Sequence, residues 1–133
     1  MKVPAKFLFK KKSSLPEAGR GLFTKILIPK GYTIVEYKGK ITTWKNANHI
    51  DGKNLYIFYV NKDHVIDANN YKSMLARFAN DARGLNKAKG LKNNSVYTIE
   101  KGKVYIKATR DIAAGAEIFV SYGKAYWDVI KKL

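Results

Sequence analysis

The chain has 133 residues, 26 of them basic and 10 acidic for a net charge of +16, and it contains no cysteine. That length fits one domain. The missing thiols exclude disulfides, thiolate catalysis and cysteine-ligated zinc, and the isolated His49 and His64 leave no nitrogen set for another transition metal, so no metal is expected. No apolar run approaches the roughly 18 residues of a membrane span, no cleaved leader is evident, and the surplus of lysine fits plain solubility as well as it fits a nucleic-acid partner.

In chain order, apolar positions alternate around Phe7 and Phe9, then Lys10 to Lys12 form a basic turn before a Ser-Ser-Leu-Pro loop. Pro29-Lys30-Gly31 reads as a turn, and the β-branched run Thr33, Ile34, Val35 as a strand. Asn61-Lys62-Asp63 splits two apolar runs into a hairpin with strands at 55–60 and 64–67. "NYKSMLARFAN" is the one helical segment: Met74, Leu75 and Phe78 share a face after an Asn70 cap. "DARGLNKAKGLKNN" is a polar, basic loop. A hairpin follows around Glu100-Lys101-Gly102-Lys103, then a turn at Ala113-Ala114-Gly115, then one apolar strand ending at Ser121, Tyr122 and Gly123. Seven or eight short strands with a short helix make a mainly β domain without repeats or strand–helix alternation.

Two fragments bear chemistry only weakly when taken singly. In "AGRGLF" the paired glycines let backbone approach a ligand, but no third glycine or helix follows, so a plain turn is favoured. In "ARFANDARG" the Asn80 amide offers donor and acceptor to an adenine edge, yet in isolation the reading that Asn80 and Asp81 merely end the helix is favoured. Most of the nine tyrosines lie on predicted strands, where packing is the normal role.

The order of the fragments is more specific than any one of them. "GRGLF", "KGYTIVEYKGK", "YIF…IDA", "ARFAND", "NN" and "AAGAEIFVSYGKAYW" follow one another across about 17–127, and together the sequence resembles the SET-domain family of protein lysine methyltransferases, most of all its minimal viral and bacterial members. The resemblance implies a SET fold of several small sheets with a short helix and a knot-like C-terminal arrangement, over 1–133 as a single domain without zinc-binding flanking modules. It implies S-adenosylmethionine as methyl donor and S-adenosylhomocysteine as product, with no metal. Gly19, Arg20 and Gly21 would line the donor pocket near its methionine end. Asn80 and the backbone of Asp81 would hold the adenine side, supported by Arg77 and Phe78, and Trp127 would pack near the adenine. Tyr122 would be the catalytic pore tyrosine, and Tyr56, Tyr122 and Tyr126 would form the channel for the substrate lysine.

Three departures from the family pattern stand out: Asp81 replaces the usual histidine, Lys40 replaces the glutamate of "EYxGE", and a long insertion separates Asn80 from Asn94, leaving the match of Asn94 to the family's second asparagine open. The insertion places Arg83, Lys87, Lys89 and Lys92 near the cofactor rim, as a solvated loop or a phosphate-binding one. With only "ITTWKNANHIDGKN" between Lys40 and Leu55, little chain remains to grip a peptide, so specificity is modest or a second subunit completes the groove, as a monomer or a homodimer. The expected activity is lysine methylation of a histone or another basic, nucleic-acid-associated protein. The rival is a non-catalytic SET-like module that binds nucleic acid through its lysines. A chain of this charge repels a free histone tail unless acids such as Glu36, Asp63, Asp67 or Glu117 cluster at the groove or nucleic acid bridges the two.

Overall fold

The computed structural model describes residues 1–16, 18–47, 56–71, 74–82 and 90–122. Ten short strands form three sheets. β1 (Leu8–Lys12), β2 (Arg20–Thr24) and β9 (Glu117–Ile118) make one, in the order β1-β2-β9. β10 (Val120–Ser121), β7 (Ser95–Glu100), β8 (Lys103–Ala108) and β3 (Thr33–Tyr37) make the second, and β4 (Lys40–Thr42), β6 (His64–Asp67) and β5 (Ile57–Asn61) the third.

The sequence patterns account for these strands. β8 alternates, burying Val104, Ile106 and Ala108 on one face while Lys103, Tyr105 and Lys107 turn outward. β2 lies between two neighbours and is buried from Gly21 to Thr24 without alternation, as an interior strand requires. The β7–β8 hairpin turns through Lys101 and Gly102, both at positive φ (52° and 79°), which suits a two-residue loop matched to strand twist. One core joins the sheets, with Leu22, Ile28, Ile106, Ile112 and Ile118 fully buried. Each contributes about 1.5–3 kcal/mol on burial. A smaller cluster of Leu15, Ala82 and Phe119 lies apart from it.

Three expectations from the sequence are corrected. The triple-lysine run is not a turn: β1 continues through Lys12, pairing Lys11 with Gly21 and Lys12 with Arg20. The helix shrinks to one 3-10 turn at Leu75–Phe78, preceded by an extended Met74 that serves as N-cap, so Asn70 does not cap it. Successive i+3 bonds run through this region, from Tyr71 N to Ala68 O, Met74 N to Tyr71 O and Ala79 N to Ala76 O. The chain must straighten by residue 80, where Asn80 forms a parallel bridge to Phe119, so an α-helix has no room to extend. The last apolar run is two strands. β9 pairs with β2, and the chain leaves that ladder at Phe119, whose carbonyl accepts from Asn94 N, Ser95 N and Ser95 Oγ, before β10 joins β7.

Residues 119–122 therefore run between two neighbours. On one side Val120 N donates to Asn80 O at 2.9 Å, and on the other Val120 and Ser121 pair in parallel with Ser95 and Val96. This insertion of the C-terminal segment between 79–82 and β7 is the form that the knot-like arrangement takes.

Candidate functional site

The inserted segment brings the distant motifs together. The Tyr122 hydroxyl donates to the Ala79 carbonyl at 2.5 Å, and the Tyr122 amide donates to Asp81 Oδ2 at 2.8 Å. The tyrosine is thus held at both ends of its side by 79–81. One residue along, Asn80 Nδ2 donates to the Arg20 carbonyl at 3.1 Å. A single three-residue stretch joins the Gly-Arg-Gly corner to the late tyrosine, across 60 positions to Arg20 and 43 from Tyr122 to Ala79.

The corner itself is shaped by its glycines. Gly19 sits at φ +71°, and a β-carbon there would meet no atom within 4 Å, so it would project into open space. That space is a cleft of about 540 Å³ lined by Lys12, Leu15, Gly19 and Arg20. Gly21 faces inward: a β-carbon there would collide with Glu117 Oε2 and lie 2.8 Å from its Cδ. Glu117 is 5% exposed, and its carboxylate accepts from Ser13 Oγ at 2.6 Å and from Ser14 N at 2.8 Å. It is therefore withdrawn into the fold and is no part of an acidic groove for a basic substrate.

On the other side of Tyr122 is a series of rings. Tyr97 stacks near Tyr122 with centroids 6.4 Å apart and contacts Phe58 at 4.8 Å and Tyr37 at 6.0 Å, both edge-on. The Tyr37 hydroxyl donates to the Tyr56 carbonyl at 2.8 Å. Arg77 places its guanidinium 3.9 Å from the Tyr56 ring centroid and donates from Nη1 to the carbonyls of Ala68 and Asn69, both at 3.0 Å. Arg77 thus braces the 68–69 corner and Tyr56, and the Phe78 ring lies under the Lys10 ammonium at 4.8 Å.

Of the residues singled out from sequence, Gly19, Arg20, Gly21, Asn80, Asp81 and Tyr122 are joined directly or through 79–81. Arg77 and Tyr56 meet on the ring side, and Phe78 lies by β1. Tyr126, Trp127 and the 83–89 basic loop fall outside the described residues. Asn94 does reach the site's frame: its Oδ1 accepts from Phe119 N at 2.9 Å and its Nδ2 donates to Glu117 O at 3.0 Å. The neighbouring Asn93 was not anticipated. It donates from Nδ2 to Asp81 Oδ1 and accepts at Oδ1 from Ala82 N, both at 2.8 Å, so it anchors the carboxylate that holds Tyr122. Tyr37, Phe58 and Tyr97 were not singled out, and no spacing in the sequence distinguishes them from core aromatics.

The chemistry that these groups permit is positional. Two oxygens, the Tyr122 hydroxyl and the Ala79 carbonyl, meet beside the Tyr97 ring, and Asn80, next in the chain to Ala79, ties them to the glycine corner. No nucleophile–base pair is needed for a reaction whose barrier is alignment.

The family model for the SET domain matches residues 19–123. Among solved structures, the methyltransferase domain of human PR domain-containing protein 2 is similar in fold, at 21% identity and a TM-score of 0.67, with 91% of this chain and 79% of that chain covered. No curated protein matches.

Proposed function

Because the chain belongs to the SET-domain family, we propose that it is an S-adenosylmethionine-dependent protein-lysine N-methyltransferase acting on a histone or another basic, nucleic-acid-associated protein. One observation carries the reading: Tyr122, pinned at its hydroxyl by Ala79 and at its amide by Asp81, shares residues 79–81 with the Asn80–Arg20 clamp at the glycine corner.

The residues present fit the donor. The cleft at Lys12, Leu15, Gly19 and Arg20 opens where Gly19 leaves room for a ligand, and the Asn80 amide fixes the backbone that would contact it. The donor supplies a methyl group on a sulfonium sulfur, taken by an amine lone pair through in-line displacement. The chain's own work is on the amine. Tyr97 and Tyr122 offer ring faces that attract an ammonium, whereas the Tyr56 ring already carries the Arg77 guanidinium; the apolar surroundings of the rings disfavour the ammonium charge and release the neutral nucleophile. The Tyr122 hydroxyl, bound to the Ala79 carbonyl, has a fixed rotamer and orientation. Alignment then costs little at the moment of reaction.

The test is calorimetric titration with S-adenosylmethionine, then incubation with labelled donor and a panel of histones, nucleosomes and lysate, with mass spectrometry of modified residues. Donor binding and lysine methylation are expected. No heat at millimolar donor refutes the reading.

A further inference from the structure

A second cleft, of about 610 Å³, shares Lys12 with the one at the glycine corner and is lined from β1, β2 and β9 and from the segments 90–94 and 110–116. Four cations line it: Lys11 and Lys12 from β1, Lys92 after the insertion, and Arg110 after β8. All four are exposed. Among the described residues the single ion pair joins Lys107 to Glu100, elsewhere on β7 and β8, so none of the four is paired with a carboxylate of the described residues. Two acids share the wall. Glu117 is buried and bound to Ser13 and Ser14, and Asp111 accepts from the Lys30 amide through Oδ1 at 2.8 Å.

The basic wall does not stop there. Lys92 and Arg110 also border a smaller cleft of about 250 Å³, where Thr109 and Ser121 are exposed and bring hydroxyls. Lys92 and Arg110 line both clefts, so the cations and hydroxyls form one continuous track from β1 to the end of the β7–β8 pair where Thr109 follows β8.

We propose that this track binds the phosphodiester backbone of a duplex nucleic acid without reading its sequence. A track of cations and hydroxyl donors matches a linear polyanion. Single-strand binders add exposed aromatics on which bases stack. Here the aromatic rings on the wall, Phe23 and Phe119, are 3% and 4% exposed and unavailable for stacking. Of the exposed large apolar residues among those described, Val96 lines the smaller cleft and carries no ring, while the aromatic ones, Trp44, Tyr59 and Tyr71, line neither. The proposal does not rest on methyl transfer, and its test involves none.

The test is fluorescence anisotropy of the full chain with a short labelled duplex of mixed sequence, repeated over a series of salt concentrations. Four phosphate contacts predict a slope of log K against log salt of roughly −3 to −4, about 0.9 per contact. The double variant Lys92→Glu/Arg110→Glu should bind at least tenfold more weakly and flatten the slope by about 2. The control Lys45→Glu/Lys62→Glu carries the same change of charge on exposed residues by the third sheet and should lose far less, because salt screens charges beyond about 8–10 Å. Lysine acetylation footprinting of the unmodified chain gives an answer free of any folding defect: duplex should protect Lys11, Lys12 and Lys92 and leave Lys45 and Lys62 reactive. Equal losses in both variants, absent or salt-insensitive binding, unprotected track lysines, or tighter binding of a single strand of the same length would each overturn the proposal.

Discussion

Replacing Gly21 by alanine tests the joint between the glycine corner and the C-terminal segment. The added methyl would occupy the space of Glu117 Oε2, so the carboxylate must move and give up Ser13 Oγ, Ser14 N, or both. Overpacking a tight site costs about 1–3 kcal/mol, and each lost hydrogen bond to a charged acceptor about 1.5–3 kcal/mol. A loss of about 3–5 kcal/mol is expected for the single variant. At roughly 3–4 °C per kcal/mol in a domain of this size, Tm falls by about 10–20 °C. Urea denaturation of Gly21→Ala, Glu117→Ala and the double variant forms a cycle that isolates the clash. With the carboxylate gone the methyl has room, so Gly21→Ala should cost under about 1 kcal/mol in the Glu117→Ala background. Additive losses, or a Gly21→Ala protein as stable as the parent, would show that the corner does not depend on this contact.

Tyr122→Phe should leave donor affinity within about twofold while turnover falls by about 10²-fold, the usual effect of removing one positioned hydroxyl; calorimetry and a single-turnover assay separate the two. Asp81→Asn turns the amide of residue 81 against the donor Nδ2 of Asn93 and should cost about 1–3 kcal/mol in a urea titration, whereas Asp81→Asn/Asn93→Asp restores one donor and one acceptor and should recover most of it. Arg77→Lys should lose about 1–2 kcal/mol by thermal unfolding, since an ammonium cannot lie flat on Tyr56 while serving both Ala68 and Asn69. Gly39→Ala would bring a β-carbon within 2.5–2.9 Å of the Asp67–Ala68 backbone, and a destabilisation comparable to that of Gly21→Ala is expected by the same measurement.

Strands that announce themselves by alternation were legible in the sequence. Val104, Ile106 and Ala108 repeat with period two, and both hairpins turn where polar or glycine-bearing pairs interrupt apolar runs. Two of the three failures share one cause. Met74, Leu75 and Phe78 have helical spacing, yet the parallel bridge of Asn80 to Phe119 fixes the chain just beyond them. Likewise "EIFVSY" carries no local mark of its division at Phe119, which arises because Asn94 and Ser95 capture that residue's backbone. Tertiary partners decided both. In the site, the glycine corner and Tyr122 could be picked out by their order along the chain. Asn93 could not, because an asparagine in a polar loop looks the same whether it faces water or a buried carboxylate.

The insertion of 119–122 between 79–82 and β7 has a consequence for how the protein assembles. Its contacts are remote in sequence: Tyr122 reaches Asp81 across 41 positions and Ala79 across 43. Closing such loops is entropically costly and slow compared with forming hairpins. The β7–β8 and β5–β6 hairpins can form early from local information, whereas the stretch that carries Tyr122 must slot between neighbours already set in place. Competence at this centre is then a late event in folding, and a nascent chain gains it only after its final strands have left the ribosome.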